Sequence, residues 1–226
     1  MADDSIETSP ESPIQRFEKV ASPAYTLFLL LVLAVVAVLG YFSTHRPGAV
    51  HGANRLFFYL ATMAWESLLV AYIYGGLRRR GKSIRNIAGL RLKSAFDFFI
   101  DIAIAFGFWI AAIFVLGIVS RLVHATGMAE TARRLAPQGL FESLLWITLS
   151  VTAGICEETI FRGYLRRQLA WTRSAPIGVL LSAALFDAGH VYQGARATVA
   201  IGLYGLMFAI LAEARRNLRP GIMTHA

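Results

Sequence analysis

The chain has 226 residues, 56% of them hydrophobic and 16% charged, with a formal net charge of +8. That much apolar surface exceeds what one soluble core hides, which excludes a soluble globular class and leaves an all-α polytopic membrane helical bundle. Nucleic acid is excluded as a partner despite the charge, because Lys and Arg lie in loops between apolar runs, where basic residues mark the cytoplasmic face of a membrane protein.

Residues 1–21 are rich in Asp, Glu, Ser and Pro and cannot bury enough surface to offset their ordering entropy, so they are expected to form a disordered cytoplasmic tail. Apolar runs follow at 23–44, 56–76, 96–120, 140–161, 176–192 and 196–213, each near the ~17 to 25 residues that cross a bilayer. The expectation is six full spans plus an incomplete seventh that starts near Pro220, with 22–139 as an N-terminal transmembrane region and 140–226 as the region that carries the chemistry. The first run is too long, and too late in the chain, to be a cleaved signal, and it is read as a retained span. If the spans alternate, the basic residues from Arg78 to Lys93, from Arg162 to Arg173 and from Arg215 to Arg219 fall on one side. Only Arg46, Arg55, Arg121, Arg133, Arg134 and Arg196 fall on the other, and this bias puts the N-terminus in the cytoplasm.

Taken in order, Glu66 is a lone mid-span acid with no visible partner, and a bundle-stabilising hydrogen bond is its expected role. Asp97, Asp101 and Glu142 lie at span edges, where solvation is expected, and His45, His51 and His124 sit in connectors without a chemical signal. Cys156 is the only cysteine, so no internal disulfide or multi-cysteine metal site can form, and it reads as a small apolar filler rather than a nucleophile. Gly202 and Gly205 are expected to let helices approach closely.

The informative stretch is 140–192. Leu140 to about Trp171 reads as one long helix without proline, and Ser174 and Pro176 are the start signal of the next. The chain therefore doubles back near residue 173. At a rise of 1.5 Å per residue, Glu157 and His190 each lie ~24 Å from that bend and are expected to face each other at one depth. Glu158 and Arg162 are spaced i,i+4 with the acid first, the favourable order for a helical ion pair. Glu157 is turned about 100° from Glu158, so one carboxylate can face the hairpin while the arginine holds the other. Glu157 is assigned to the chemistry and Glu158 to the brace, an order that the sequence alone would also permit in reverse. Phe186 shares a face with His190 and would wall the imidazole from water. A carboxylate beside such an imidazole is a candidate general base, and His225, after Arg219-Pro220-Gly221, could donate to an oxyanion or complete a metal site with His190 and Glu157.

The series Glu157-Glu158-x-x-x-Arg162, Phe186-x-x-x-His190 and His225 after Asn217-Leu218-Arg219-Pro220-Gly221 resembles the motifs of the CAAX prenyl endopeptidase and bacteriocin-processing (CPBP, Abi-like) family of intramembrane proteases. The likeness covers about 140–226. It implies an intramembrane endopeptidase that hydrolyses a peptide bond of a membrane-associated or lipidated peptide. In such an enzyme Glu157 and His190 activate water, His225 stabilises the oxyanion, and Glu158, Arg162 and Phe186 support them. The donor set would suit a divalent metal such as zinc or a metal-free glutamate mechanism. The implied partners are membrane lipid and a peptide or protein substrate, and the implied location is the bacterial cell membrane. Two departures stand out. Asp187, one turn before His190, takes the place of a small or apolar residue and would be placed to orient the imidazole. The family's last motif also has an Asn or Asp four residues after its His, whereas this sequence stops at Ala226, so a truncated chain is expected. A proton-coupled transporter or channel subunit that uses the same Glu/His pair as a relay is the competing class, and a catalytically dead scaffold is the third.

Overall fold

The computed structural model describes residues 19–45, 55–90, 94–124, 133, 135–170 and 174–226. They form α1 (Pro23–His45), α2 (Arg55–Arg78), α3 (Ile84–Ala88), α4 (Ala95–Leu122), α5 (Gly139–Glu157), a π-helical segment (Glu158–Leu165), α6 (Arg166–Ala170), α7 (Ala175–Ala188), a 3₁₀ turn (Val191–Gln193), α8 (Ala195–Arg215) and α9 (Arg219–His225). Among the described residues there is no strand.

Polarity is inverted relative to a water-soluble bundle. Leu27, Phe57, Phe96, Leu122 and Leu140 are largely exposed, while Glu66, Asp101, Glu158, Arg162, Arg166 and Gln168 are buried. That distribution suits a hydrocarbon solvent, in which apolar side chains face outward and polar ones must find partners inside. Five helices are long and apolar enough to cross a membrane: Pro23–Phe42, Arg55–Arg78, Ala95–Leu122, Gly139–Ala170 and Ala195–Arg215. The chain is thus a multi-pass integral membrane protein. The fifth of the six expected crossings differs from its expectation. Its helix, α7, has 14 residues, about 21 Å against a hydrocarbon core of about 30 Å.

The continuous rod of α5, the π segment and α6 is the axis of the fold. α2, α7, α8 and α9 pack around it, α3 against the π segment, and α4 against α8 and α9. The long helix read from 140 to about 171 is therefore present, but its middle is wound with i→i+5 hydrogen bonds. Such π turns recur at functional sites, and every residue of this one is buried. The side chain of Arg166 takes up the carbonyl of Arg162 through Nε at 3.0 Å and pairs with Glu213 on α8. The bend opens as expected, with Ser174 as the N-cap of α7 and Pro176 in its first turn.

Of the expected tail, residues 1–18 lie outside the described residues, and the boundary at 21 shifts. Val20 and Ala21 are buried, with their N–H groups donating to Gln168 Oε1 at 2.9 and 3.0 Å. Gln168 Nε2 donates back to Ala21 O at 3.1 Å, so the start of α1 is tied to α6. The expectation of solvated span-edge acids fails for Asp101, whereas Glu142 keeps 17% side-chain exposure. Glu142 accepts a bidentate pair from Arg55 at 2.9 and 3.1 Å, which joins α5 to α2. Asp101 is completely buried, and three side chains between the end of α8 and the start of α9 converge on it.

Candidate active site

The polar cluster is built where the π segment, α7, α8 and α9 meet. Arg162 is its buried centre. Its Nη1 lies 3.2 Å from Glu158 Oε1, with both side chains fully buried, and its Nη2 donates to Gly205 O at 3.1 Å. The guanidinium sits 4.3 Å from the Phe186 ring centre and 5.3 Å from that of Phe208. Two aromatic faces, one carboxylate and one carbonyl thus replace the water that a buried cation gives up. The close approach expected at Gly202 and Gly205 is present. A Cβ on Gly205 would come within 2.7 Å of the Phe186 ring, and one on Gly202 within 3.0 Å of the Asp187 carboxyl.

His225 comes in on α9, a helix of only seven residues. Its Nε2 lies 3.3 Å from Glu157 Oε2 and its Nδ1 3.4 Å from Glu158 Oε1, so one imidazole spans both glutamates. Phe208 stacks on it at 5.1 Å, and Tyr204 and Phe186 meet its edges. Two glycines make room. A Cβ on Gly221 would reach 2.7 Å from Glu158 Oε2, and one on Gly154 would reach 2.9 Å from the backbone nitrogen of Ala226. Asp101 on α4 fixes the turn that precedes α9, accepting from Arg215 Nη2 at 2.7 Å, Arg219 Nε at 2.6 Å and Asn217 Nδ2 at 3.4 Å. Thr224 adds a bond to Ala105 O at 3.1 Å.

His190 lies beyond the end of α7, in the turn before the 3₁₀ segment, rather than inside a span. Its Nδ1 is 2.8 Å from Phe186 O. A carbonyl only accepts, so this nitrogen carries the hydrogen and the lone pair is on Nε2. The ring packs at 4.6 Å on Phe186 and at 6.1 Å on Tyr192. Phe186 is thus the wall shared by His190, His225 and Arg162. Glu157 and His190, expected to face each other, form no direct ion pair among the described residues. Glu157 is met by His225, and α7 stops at Ala188, short of the His190 that the hairpin arithmetic placed inside it. Nor does Asp187 orient the imidazole through its Nδ1, since that partner is a backbone carbonyl.

Sequence reasoning missed one acid of the site. Glu66 on α2 is buried near Glu157. Its mid-span position was the available signal, but that neighbour lies about ninety residues away in the chain.

Among the described residues, no group of three or more His, Cys, Asp or Glu side chains is arranged to hold a metal ion. Of the three candidate ligands, Glu157 and His225 adjoin each other, while His190 turns one nitrogen to the backbone of its own helix. As they are placed, these three do not converge as a three-ligand zinc set among the described residues.

Residues 137–226 match the family model described as Rce1-like, type II CAAX prenyl endopeptidase Rce1-like. This region of the chain is thus similar to a CAAX protease family, in agreement with the motif resemblance, and it contains Glu157, Glu158, Arg162, Phe186, His190 and His225. No curated protein and no solved structure is significantly similar to the chain.

Proposed function

We propose that the protein is an intramembrane endopeptidase in which Glu157 is the base that activates water against a peptide bond of a membrane-associated or lipidated peptide. The supporting observation is the unequal burial of the adjacent glutamates. The side chain of Glu157 keeps 16% exposure, whereas that of Glu158 has none and is held by Arg162. Only the first can meet a water molecule without breaking an ion pair.

In the reaction, the Glu157 carboxylate takes a proton from water while the water oxygen bonds to the scissile carbonyl carbon. The proton then passes to the amide nitrogen as the C–N bond breaks, which leaves a carboxylic acid and an amine. His190, with its Nδ1–H fixed on Phe186 O, offers the Nε2 lone pair to the same water. His225 as it lies keeps Glu157 and Glu158 in register, and donation to the oxyanion needs its Nε2 to leave Glu157. Arg162, Glu158 and Phe186 hold the frame. The basic loops orient the N-terminus toward the cytoplasm in this reading.

The test is cleavage of a prenylated C-terminal peptide and of a peptide library by the full chain in proteoliposomes. Glu157→Gln and His190→Ala should each lower kcat by about 10²- to 10⁴-fold, the range for loss of a general base. Activity should persist in strong chelator. Equal cleavage by wild type and both variants would remove the hydrolytic reading, and proton-linked uptake without cleavage would install the transporter in its place. Loss in chelator that zinc restores would overturn the metal-free step.

A further inference from the structure

Because His190 lies past the end of α7, its side chain is placed by a turn rather than by a helix. The backbone of that turn is closed by three bonds: His190 N–H to Asp187 O at 2.8 Å, Gln193 N–H to His190 O at 3.0 Å and Gly194 N–H to Val191 O at 3.1 Å. The imidazole is anchored at Nδ1 by Phe186 O. A bond at one corner leaves the plane of a ring free to pivot, so the direction of the Nε2 lone pair depends on what packs against it. Phe186 meets the imidazole at 4.6 Å, and Tyr192 stacks on it at 6.1 Å with 27° between the planes. Both lie in the range of aromatic contact. Tyr192 in turn is held from two sides. Its hydroxyl accepts from Gln193 Nε2 at 3.2 Å, and its Cβ lies 3.7 Å from where a Cβ on Gly40 of α1 would stand. The whole 3₁₀ turn packs against α1. That helix is fixed at its start by Gln168, by Thr26 Oγ1 with the Tyr164 hydroxyl at 2.9 Å, and by Tyr25 and Tyr72, whose hydroxyls each donate to the other's carbonyl at 2.8 and 3.0 Å.

We infer that Tyr192 is a positioning residue for His190, backed by α1 at Gly40. This rests on the hydrolytic reading, in which the Nε2 lone pair of His190 meets the water. Tyr192 exchanges no proton with substrate and acts only by fixing the plane of the imidazole. Glycine at position 40 lets α1 stand close behind the tyrosine. A methyl group there makes ordinary contact, whereas a larger side chain has to push the ring aside. Gly40 lies outside the region of the family match, so the N-terminal half supports the site from a distance.

The experiment measures cleavage of the prenylated peptide by the full chain carrying Tyr192→Ala, Tyr192→Phe, Gly40→Ala or Gly40→Leu, and by His190→Ala with and without Tyr192→Ala. Tyr192→Ala should lower kcat at least about tenfold with KM within about twofold, the pattern of a loss felt in the transition state. Tyr192→Phe keeps the ring and should recover most of that loss. Gly40→Leu should lower kcat in the same way, and Gly40→Ala far less. In the His190→Ala background, Tyr192→Ala should cost nothing further, because the group through which it acts is already gone. Wild-type kcat in Tyr192→Ala, with His190→Ala impaired, would overturn this inference alone. So would an undiminished further fall in the His190→Ala background, which would show the tyrosine acting apart from the imidazole. If Tyr192→Ala fails to fold, the Gly40 pair decides: equal kcat in Gly40→Leu and Gly40→Ala would overturn the inference. Wild-type cleavage by His190→Ala would overturn it together with the reading of His190 on which it rests.

Discussion

Arg162→Met is expected to lower stability by about 3–5 kcal/mol and to abolish cleavage. The guanidinium is wholly buried and joins the π segment to α7 and α8 through Glu158, the rings of Phe186 and Phe208, and Gly205 O. Methionine fills much of the volume but leaves the fully buried Glu158 carboxyl without its guanidinium partner. An uncompensated charge there costs more than the pair contributes, which is why breaking one partner is worse than replacing both. Arg162→Lys should recover only part of the loss, because an ammonium cannot lie flat on Phe186 while also reaching Gly205 O. Denaturation of the purified protein in detergent, run beside the cleavage assay, measures both effects. A change below about 1 kcal/mol, the scale of an exposed pair, would contradict the buried brace.

Asp101→Leu is expected to cost about 3 kcal/mol, near the lower end for a broken buried pair because Arg215 stays partly exposed and can be solvated. The larger effect should be functional. Asp101 on α4 ties Arg215, Asn217 and Arg219, the residues that set the entry of α9, and α9 carries His225 between the glutamates. A displacement of about 1 Å at a site of this kind can cost on the order of 10²-fold in rate, so kcat should drop well before the protein unfolds. Asp101→Asn keeps one acceptor and should fall between the two. Cleavage assayed at a temperature where the variant is still folded isolates this effect, and undiminished kcat there would show that α9 is placed without Asp101.

These two variants also mark what could be read in the chain itself. The Glu158–Arg162 pair and the start of α7 at Ser174 and Pro176 are local, fixed by spacings of four residues or fewer, and the structure has both. The membrane bundle followed from run lengths alone. What failed was whatever depended on how far a helix continues or on what lies across the bundle. α7 stops at Ala188, so His190 lies past the end of the helix that the hairpin arithmetic continued through it. The imidazole that contacts Glu157 directly is His225, from a helix too short to register as a span. Asp101 drew no partner in the sequence because its partners come from distant helices. The π turn was equally invisible, since a 3.6-residue period is assumed in every facing argument across Glu158–Leu165.

The division of labour between the adjacent glutamates is tested most directly by setting Glu157→Gln against Glu158→Gln, with cleavage and thermal unfolding measured on the same preparations. Glu157→Gln should unfold within a few degrees of wild type and fail to cleave. Glu158→Gln should unfold markedly earlier, because it strips Arg162 of its counter-ion. The contradicting result is the reverse: a Glu157→Gln protein that still hydrolyses peptide, or a Glu158→Gln protein as stable as wild type that does not.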